Sequence, residues 1–206
     1  MLYCMFDTET TGTTARDEVI QFSAIIANEN LGIVHSINKY CNSVQPIHPQ
    51  AYEAHRIDKQ MLIERSEQKF FEDIVRTESI FQEPDVTFIS YNIAFDTRMC
   101  NQTLMNNGHY PINFGDRVSV LRSRTKTGKY SFDMMRIAGQ LFGNGYNIPL
   151  QTAATRAGFS LEDAKRAFSN YTGFSDNTRT HTHDGLFDAF LLFGLVSKTK
   201  GLIFHG

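Results

Sequence analysis

Apolar and polar positions along the 206-residue chain sort into three strand-like stretches, then into alternating helical and strand-like ones. Residues 2–6 are apolar throughout and soon meet Thr10-Thr11-Gly12, the pattern of a central strand covered on both faces. Val19 to Ala27 and Ile33 to about Val44 predict two further strands, with Asn28-Glu29-Asn30 and Gly32 carrying the turn between them. The three together predict an antiparallel meander. After Pro46 and Pro49 the pattern becomes helical, and from Ser66, a candidate N-cap, it places Phe70, Phe71, Ile74, Val75 and Phe81 on one face. Val86 to Ser90 reads as a short strand, followed by a helix from about Phe95 to Asn106 that ends at Asn107-Gly108. Arg117 to Leu121 is the last predicted strand, with helices near 132–142, 150–157 and 184–198 after it. No repeat, low-complexity tract or Pro/Gly/Ser linker divides the chain. The expectation is one α/β domain over residues 1–206, with helices packed on a mixed sheet.

Composition agrees with a globular chain: 41% hydrophobic, 20% charged and a formal charge of −2. That balance excludes coating of nucleic acid or membrane through bulk positive charge, but not a local basic track. Cys4, Cys41 and Cys100 are odd in number and far apart, with no CxxC spacing. They read as buried hydrophobes of a reducing compartment, not as a disulfide frame or zinc site. The N-terminus has no basic region and only a short apolar run, and no stretch reaches the roughly 18 apolar residues that span a bilayer. A cytoplasmic protein with no membrane partner is expected.

Four acids stand out against these patterns. Asp7 and Glu9 continue the first strand, and a period of two puts both carboxylates on one face. Such a pair repels, and a hard divalent cation is the simplest remedy. Asp96 falls at or just inside a helix start after the strand 86–90, where the helix dipole alone accounts for an acid. His183 and Asp184 precede the last helix, and Asp184 suits an N-cap. Asp188 interrupts the apolar run between Phe187 and Ala189 and needs a partner.

Taken together, Asp7, Glu9, Asp96, His183 and Asp188 resemble, in order and spacing, the DnaQ-like DEDDh 3′–5′ exonucleases of the ribonuclease H-like fold. The resemblance rests on Phe6 to Gly12, Asn92 to Asp96 and His183 to Ala189. It also touches Ala51 to Ile57, where Arg56 replaces the family's usual Gly. Asp133 to Arg136 and Leu150 to Gly158 resemble the stretches before the last motif, especially in nuclease domains of the bacterial exonuclease I kind. The similarity covers about residues 3 to 198 and implies a mixed five-stranded sheet with helices on both faces.

It further implies two Mg²⁺ or Mn²⁺ ions held by Asp7, Glu9, Asp96 and Asp188, with Asp7 between them. His183 would be the general base, its ordinary pKa near 6.5 suiting that task. His181, seven residues before Asp188, departs from the family spacing and ranks below it. The implied reaction is release of nucleoside 5′-monophosphates from the 3′ end of single-stranded DNA. Thr8, Thr10, Thr11 and Gly12 would line the terminal nucleotide's pocket, with His55, Asn92 and Phe95 as further contacts. Between 117 and 132, Arg117, Arg122, Arg124, Lys126 and Lys129 stand beside Tyr130 and Phe132 without an acid. Cations among aromatics suit a single strand. The polar stretch Ser169 to Thr182 reads as a flexible loop leading to His183.

Two rival readings remain at this level. An RNA exonuclease of the oligoribonuclease or RNase T kind would use the same site. A non-catalytic module binding nucleic acid or a polymerase would have no need of all five residues. Oligomeric state and any replication or repair partner are left open by the sequence.

Overall fold

The computed structural model describes residues 1–118, 130–172 and 184–204. The predicted meander forms strands β1 (Leu2–Thr10), β2 (Val19–Asn28) and β3 (Ile33–Tyr40). Next come helices α1 (Pro49–His55), α2 (Lys59–Arg65) and α3 (Phe71–Thr77), then strand β4 (Val86–Ser90) and helix α4 (Ile93–Asn106). Strands β5 (Asp116–Val118) and β6 (Tyr130–Asp133) complete a sheet of order β3-β2-β1-β4-β6-β5. β1, β2 and β3 pair antiparallel, whereas β1/β4, β4/β6 and β6/β5 are parallel. Helices α5 (Met134–Phe142), α6 (Leu150–Arg156), α7 (Leu161–Thr172) and α8 (Gly185–Phe204) follow.

The period of two along β1 divides the core. Tyr3 and Met5 face a cluster that includes Phe187, Phe190 and Leu195 of α8, while Cys4 and Phe6 face the α3/α4 side. On that second side Phe6, Phe22, Phe88 and Phe114 stack or meet edge-on, with ring centroids 4.9–5.9 Å apart. Asp7 and Glu9 therefore extend the α8 face and Thr8 and Thr10 the α4 face.

The α/β class with helices on both faces holds, and the sheet has six strands rather than five. Tyr130–Asp133 forms a strand where a helix near 132 was expected; Asp133 then caps α5, its Oδ1 accepting the Arg136 N–H at 3.2 Å. The helix expected from Ser66 starts later, because Ser66 instead ends α2, donating its N–H to the Leu62 carbonyl. Glu67 and Gln68 then take left-handed φ of 54° and 62°, breaking any helix between. Ser169 to Thr172, read as loop, belong to α7.

Candidate active site

The ladder between β1 and β4 covers only Leu2↔Val86 to Met5↔Ile89. Beyond Met5, β1 therefore runs on with a neighbour on its β2 side alone, where Asp7 faces Ser23 and Glu9 faces Gln21. The start of α4 fills the vacated side. Thr8 donates its N–H and Oγ1–H to Asp96 Oδ1 at 3.2 and 2.7 Å, and Ser90 Oγ donates to Asp96 Oδ2. The carboxylate thus replaces the missing strand as acceptor for Thr8, which satisfies a backbone donor that burial would otherwise leave costly. Burial pushes the Asp96 carboxyl up to about 6, against the opposing hydrogen bonds from Ser90 and Thr8.

On the opposite face α8 brings in Asp188. Asp184 caps this helix, its Oδ1 accepting the N–H groups of Leu186 and Phe187 at 3.1 and 3.4 Å. Gly185 lets the helix start lie close on β2: a Cβ there would meet Ser23 Oγ at 3.0 Å and Gln21 Oε1 at 3.3 Å. One turn on, an oxygen of Asp188 joins oxygens of Asp7 and Glu9, all within 4.8 Å of one another. Burial is the largest cause holding the Asp7 and Glu9 carboxyls well above the usual carboxylate range. The facing acids add to it: Asp96, Glu9 and Asp188 for Asp7, and Asp188 and Asp96 for Glu9.

Asp7, Glu9, Asp96 and Asp188 line one cavity of about 610 Å³, whose remaining lining is largely apolar and includes Tyr91, Phe95, Met135, Ile148 and Leu150. Three crowded carboxylates with a fourth alongside form an all-oxygen donor set that fits a hard divalent cation such as Mg²⁺ or Mn²⁺.

The remaining predicted residues divide. Thr8, Asn92 and Phe95 line this cavity, and Arg98 sits over the Phe95 ring at 5.3 Å. Thr10, Thr11, Gly12 and His55 do not line it; they hold the turn that follows Glu9. Thr10 Oγ1 donates to the Gly12 carbonyl at 2.7 Å and Thr11 Oγ1 to Asp17 Oδ1 at 2.8 Å. A Cβ on Gly12 would come within 2.7 Å of both Asp17 Oδ2 and the His48 ring. His55 Nδ1 accepts the Ile57 N–H at 3.0 Å, which leaves the proton on Nε2, 3.2 Å from the Thr10 carbonyl. Arg56 stands in the left-handed region at φ 60°, capping α1, with its guanidinium over Tyr52. Phe132, read as a base-stacking ring, is a core residue at 3% exposure. Arg122, Arg124, Lys126, Lys129, His181 and His183 lie outside the described residues. Ser90, Tyr91, Met135 and Ile148 were not foreseen; the available signals were the position of Ser90 and Tyr91 at the end of β4 and, for Met135, the resembling stretch Asp133 to Arg136.

An α/β protein with a carboxylate-lined cavity beyond the carboxyl end of its central strands is thus defined. Residues 4–193 match the exonuclease (RNase T) family model, and the chain belongs to that family. Among solved structures it is similar to E. coli exonuclease I in complex with a dA16 oligonucleotide. That match has 18% identity and TM-score 0.64, over 98% of this chain and 41% of that one. The zinc-ion-bound form of the E. coli exonuclease I–ssDNA complex is similar at 20% identity and TM-score 0.64, over 97% and 40%. Exonuclease X in complex with 5′ overhanging duplex DNA is similar at 15% identity and TM-score 0.58, over 96% and 91%. At these identities the likeness is one of fold, the ribonuclease H-like fold of the DnaQ-like exonucleases. The chain spans about two fifths of the length of the exonuclease I structures. None of the curated proteins matches the sequence. Among the described residues no helix is long and apolar enough to cross a membrane.

Proposed function

We propose that this chain is a DEDDh-type, metal-dependent exonuclease that removes nucleoside 5′-monophosphates from the 3′ end of single-stranded DNA. The observation that carries the reading is the convergence of Asp7, Glu9 and Asp188 within 4.8 Å, with Asp96 lining the same cavity. Two divalent ions bound there would supply activation of the attacking water and stabilisation of the leaving 3′-oxygen. The chain's own groups then have separable tasks. Asp7, Glu9 and Asp188 hold the cations, and Asp96 is oriented toward the same cavity by Thr8 and Ser90. Tyr91, Phe95, Met135 and Ile148 receive the terminal base and sugar on apolar surface, while Asn92 offers a polar contact. His183, next in sequence to the cap residue Asp184, takes the proton of the attacking water. Single-stranded or overhanging DNA in the names of the similar structures supports DNA over RNA as substrate.

End-labelled single-stranded DNA and RNA, incubated with Mg²⁺, Mn²⁺ or chelator, test this. DNA should shorten from its 3′ end only with metal, and Asp7→Ala should not shorten it. No shortening of either polymer with metal present overturns the catalytic reading. Preferential shortening of RNA moves the substrate to RNA, and equal shortening in chelator overturns the metal assignment.

A further inference from the structure

Two features at the rim of the cavity have no part in the chemistry above. The first is a pair of arginines on a buried acid. Asp133, 3% exposed at its side chain, lies 3.1 Å from Arg117 Nη2 and 3.9 Å from Arg136 Nε. The two arginine side chains are themselves exposed, at 41% and 58%. Two cations on one carboxylate leave a net positive charge at the surface, and the buried acid fixes where it stands. Asp133 pairs with Ser90 across the ladder, and Met135, a cavity residue, donates its N–H to the Tyr91 carbonyl at 2.7 Å. Arg136 is therefore one residue outside the cavity wall.

The second is Tyr146, which is 79% exposed and directly precedes the cavity residue Asn147. Its loop is pinned at both sides. Gly145 N–H donates to the Gly139 carbonyl and Tyr146 N–H to the Gly143 carbonyl, each at 2.9 Å, and Tyr91 Oη donates to the Ile148 carbonyl. A Cβ on Gly139 would stand 2.7 Å from the Tyr146 carbonyl oxygen, and one on Gly143 would also clash with it. Arg136, Gly139 and Gly143 are spaced three and four apart along α5, so the arginine and the loop share one helix face. A large aromatic ring left in water on a backbone held in this way offers a flat surface on which a planar partner can stack.

From the sharing of one rim by a fixed positive charge and an exposed ring on a pinned backbone, we propose a track for the substrate strand upstream of its terminal nucleotide. A phosphodiester lies on Arg136 and Arg117, and an unpaired base stacks on Tyr146. The inference rests on the proposed nuclease reading and deepens it, by naming single-stranded DNA outside the cavity as the ligand of this rim. The chemistry fits: phosphates seek fixed guanidinium groups, and stacking on an aromatic ring tolerates any base.

The test is direct binding of fluorescent oligothymidylate by the whole chain, with calcium replacing magnesium and strand recovery checked by gel. Tyr146→Ala should weaken binding of a twelve-nucleotide strand about tenfold without changing its salt dependence, and Tyr146→Phe should restore it. Arg136→Gln and Arg117→Gln should each flatten the slope of log affinity against log salt by about 0.7. None of these variants should alter binding of thymidine 5′-monophosphate, which reaches only the cavity. Wild-type affinity in Tyr146→Ala and Arg136→Gln overturns the track, as does an equal loss for strand and mononucleotide. A wild-type chain that binds with this pattern yet leaves DNA intact with Mg²⁺ keeps the track and loses the nuclease reading. A wild-type chain that binds no strand loses both, and tighter binding of duplex or RNA than of single-stranded DNA overturns the named ligand.

Discussion

The two sides of β1 treat their acids in opposite ways. On the α4 side Asp96 meets three protein donors, two from Thr8 and one from Ser90, and its geometry is fixed by the fold. On the α8 side Asp7 and Glu9 meet Asp188 at close range, and among the described residues no hydrogen-bond donor reaches the Asp7 or Glu9 carboxylate. One side is complete as folded. The other carries a crowding of charge that a proton or an added cation would relieve. In the proposed reading, Asp96 is held in place for the substrate and the crowded acids are left for metal.

Asp7→Asn breaks the comparison most severely. It should lower metal-dependent turnover by about three orders of magnitude or more, read from single-turnover assays. The same change should raise the melting temperature of the metal-free protein, because it removes one charge from the crowded side. Mg²⁺ should stabilise the wild-type chain by about 2.7 kcal/mol at a hundred times its dissociation constant, and Asp7→Asn should lose most of that gain in thermal melts. Thr8→Val acts on the completed side and should have the opposite sign. It leaves buried Asp96 short of a donor and should cost about 1–3 kcal/mol with or without metal, measured by urea unfolding.

Acidity separates the sides more gently. A carboxyl whose folded-state pKa is raised binds its proton more tightly in the fold than in the unfolded chain. Asp7 and Glu9, held well above the usual range, and Asp96, at about 6, should therefore make the metal-free protein gain stability as pH falls through about 6 toward the ordinary carboxylate range. Asp17 works the other way. Burial opposes its ionisation, but hydrogen bonds from Thr14 and Thr11 hold its carboxyl below the usual range. Its contribution is lost as pH falls through that lowered value, so a stability maximum in mildly acid solution is expected. Calorimetry across pH checks it, and saturating Mg²⁺ should abolish the neutral-side slope.

Much of this was legible in the residues themselves. Asp7 and Glu9 could be placed on one face because β1 is long and apolar up to them, and Asp188 was conspicuous inside a run of Phe and Leu. The supports of Asp96 were hidden, since Thr8 lies 88 positions away and only the closed sheet brings it near. Four-residue β6 is too short for periodicity to register, which is why Phe132 read as a surface ring. Left-handed turns escaped as well: at Arg56 only the family's usual Gly hinted at one, and Glu67 and Gln68 carry no glycine signal. Arg56→Gly should relieve the first of them and stabilise the fold by about 0.5–1 kcal/mol, less whatever the Tyr52 contact contributes.

The half of β1 that β4 leaves unpaired is also a hazard. An open run of strand edge invites another chain to add itself there, and sheet proteins block such edges with charge or cover. Asp96 is the plug: its carboxylate occupies the Thr8 N–H that an incoming strand would take. Variants at position 96 therefore uncover a template for self-association, and their concentration-dependent solubility carries information that their residual activity does not.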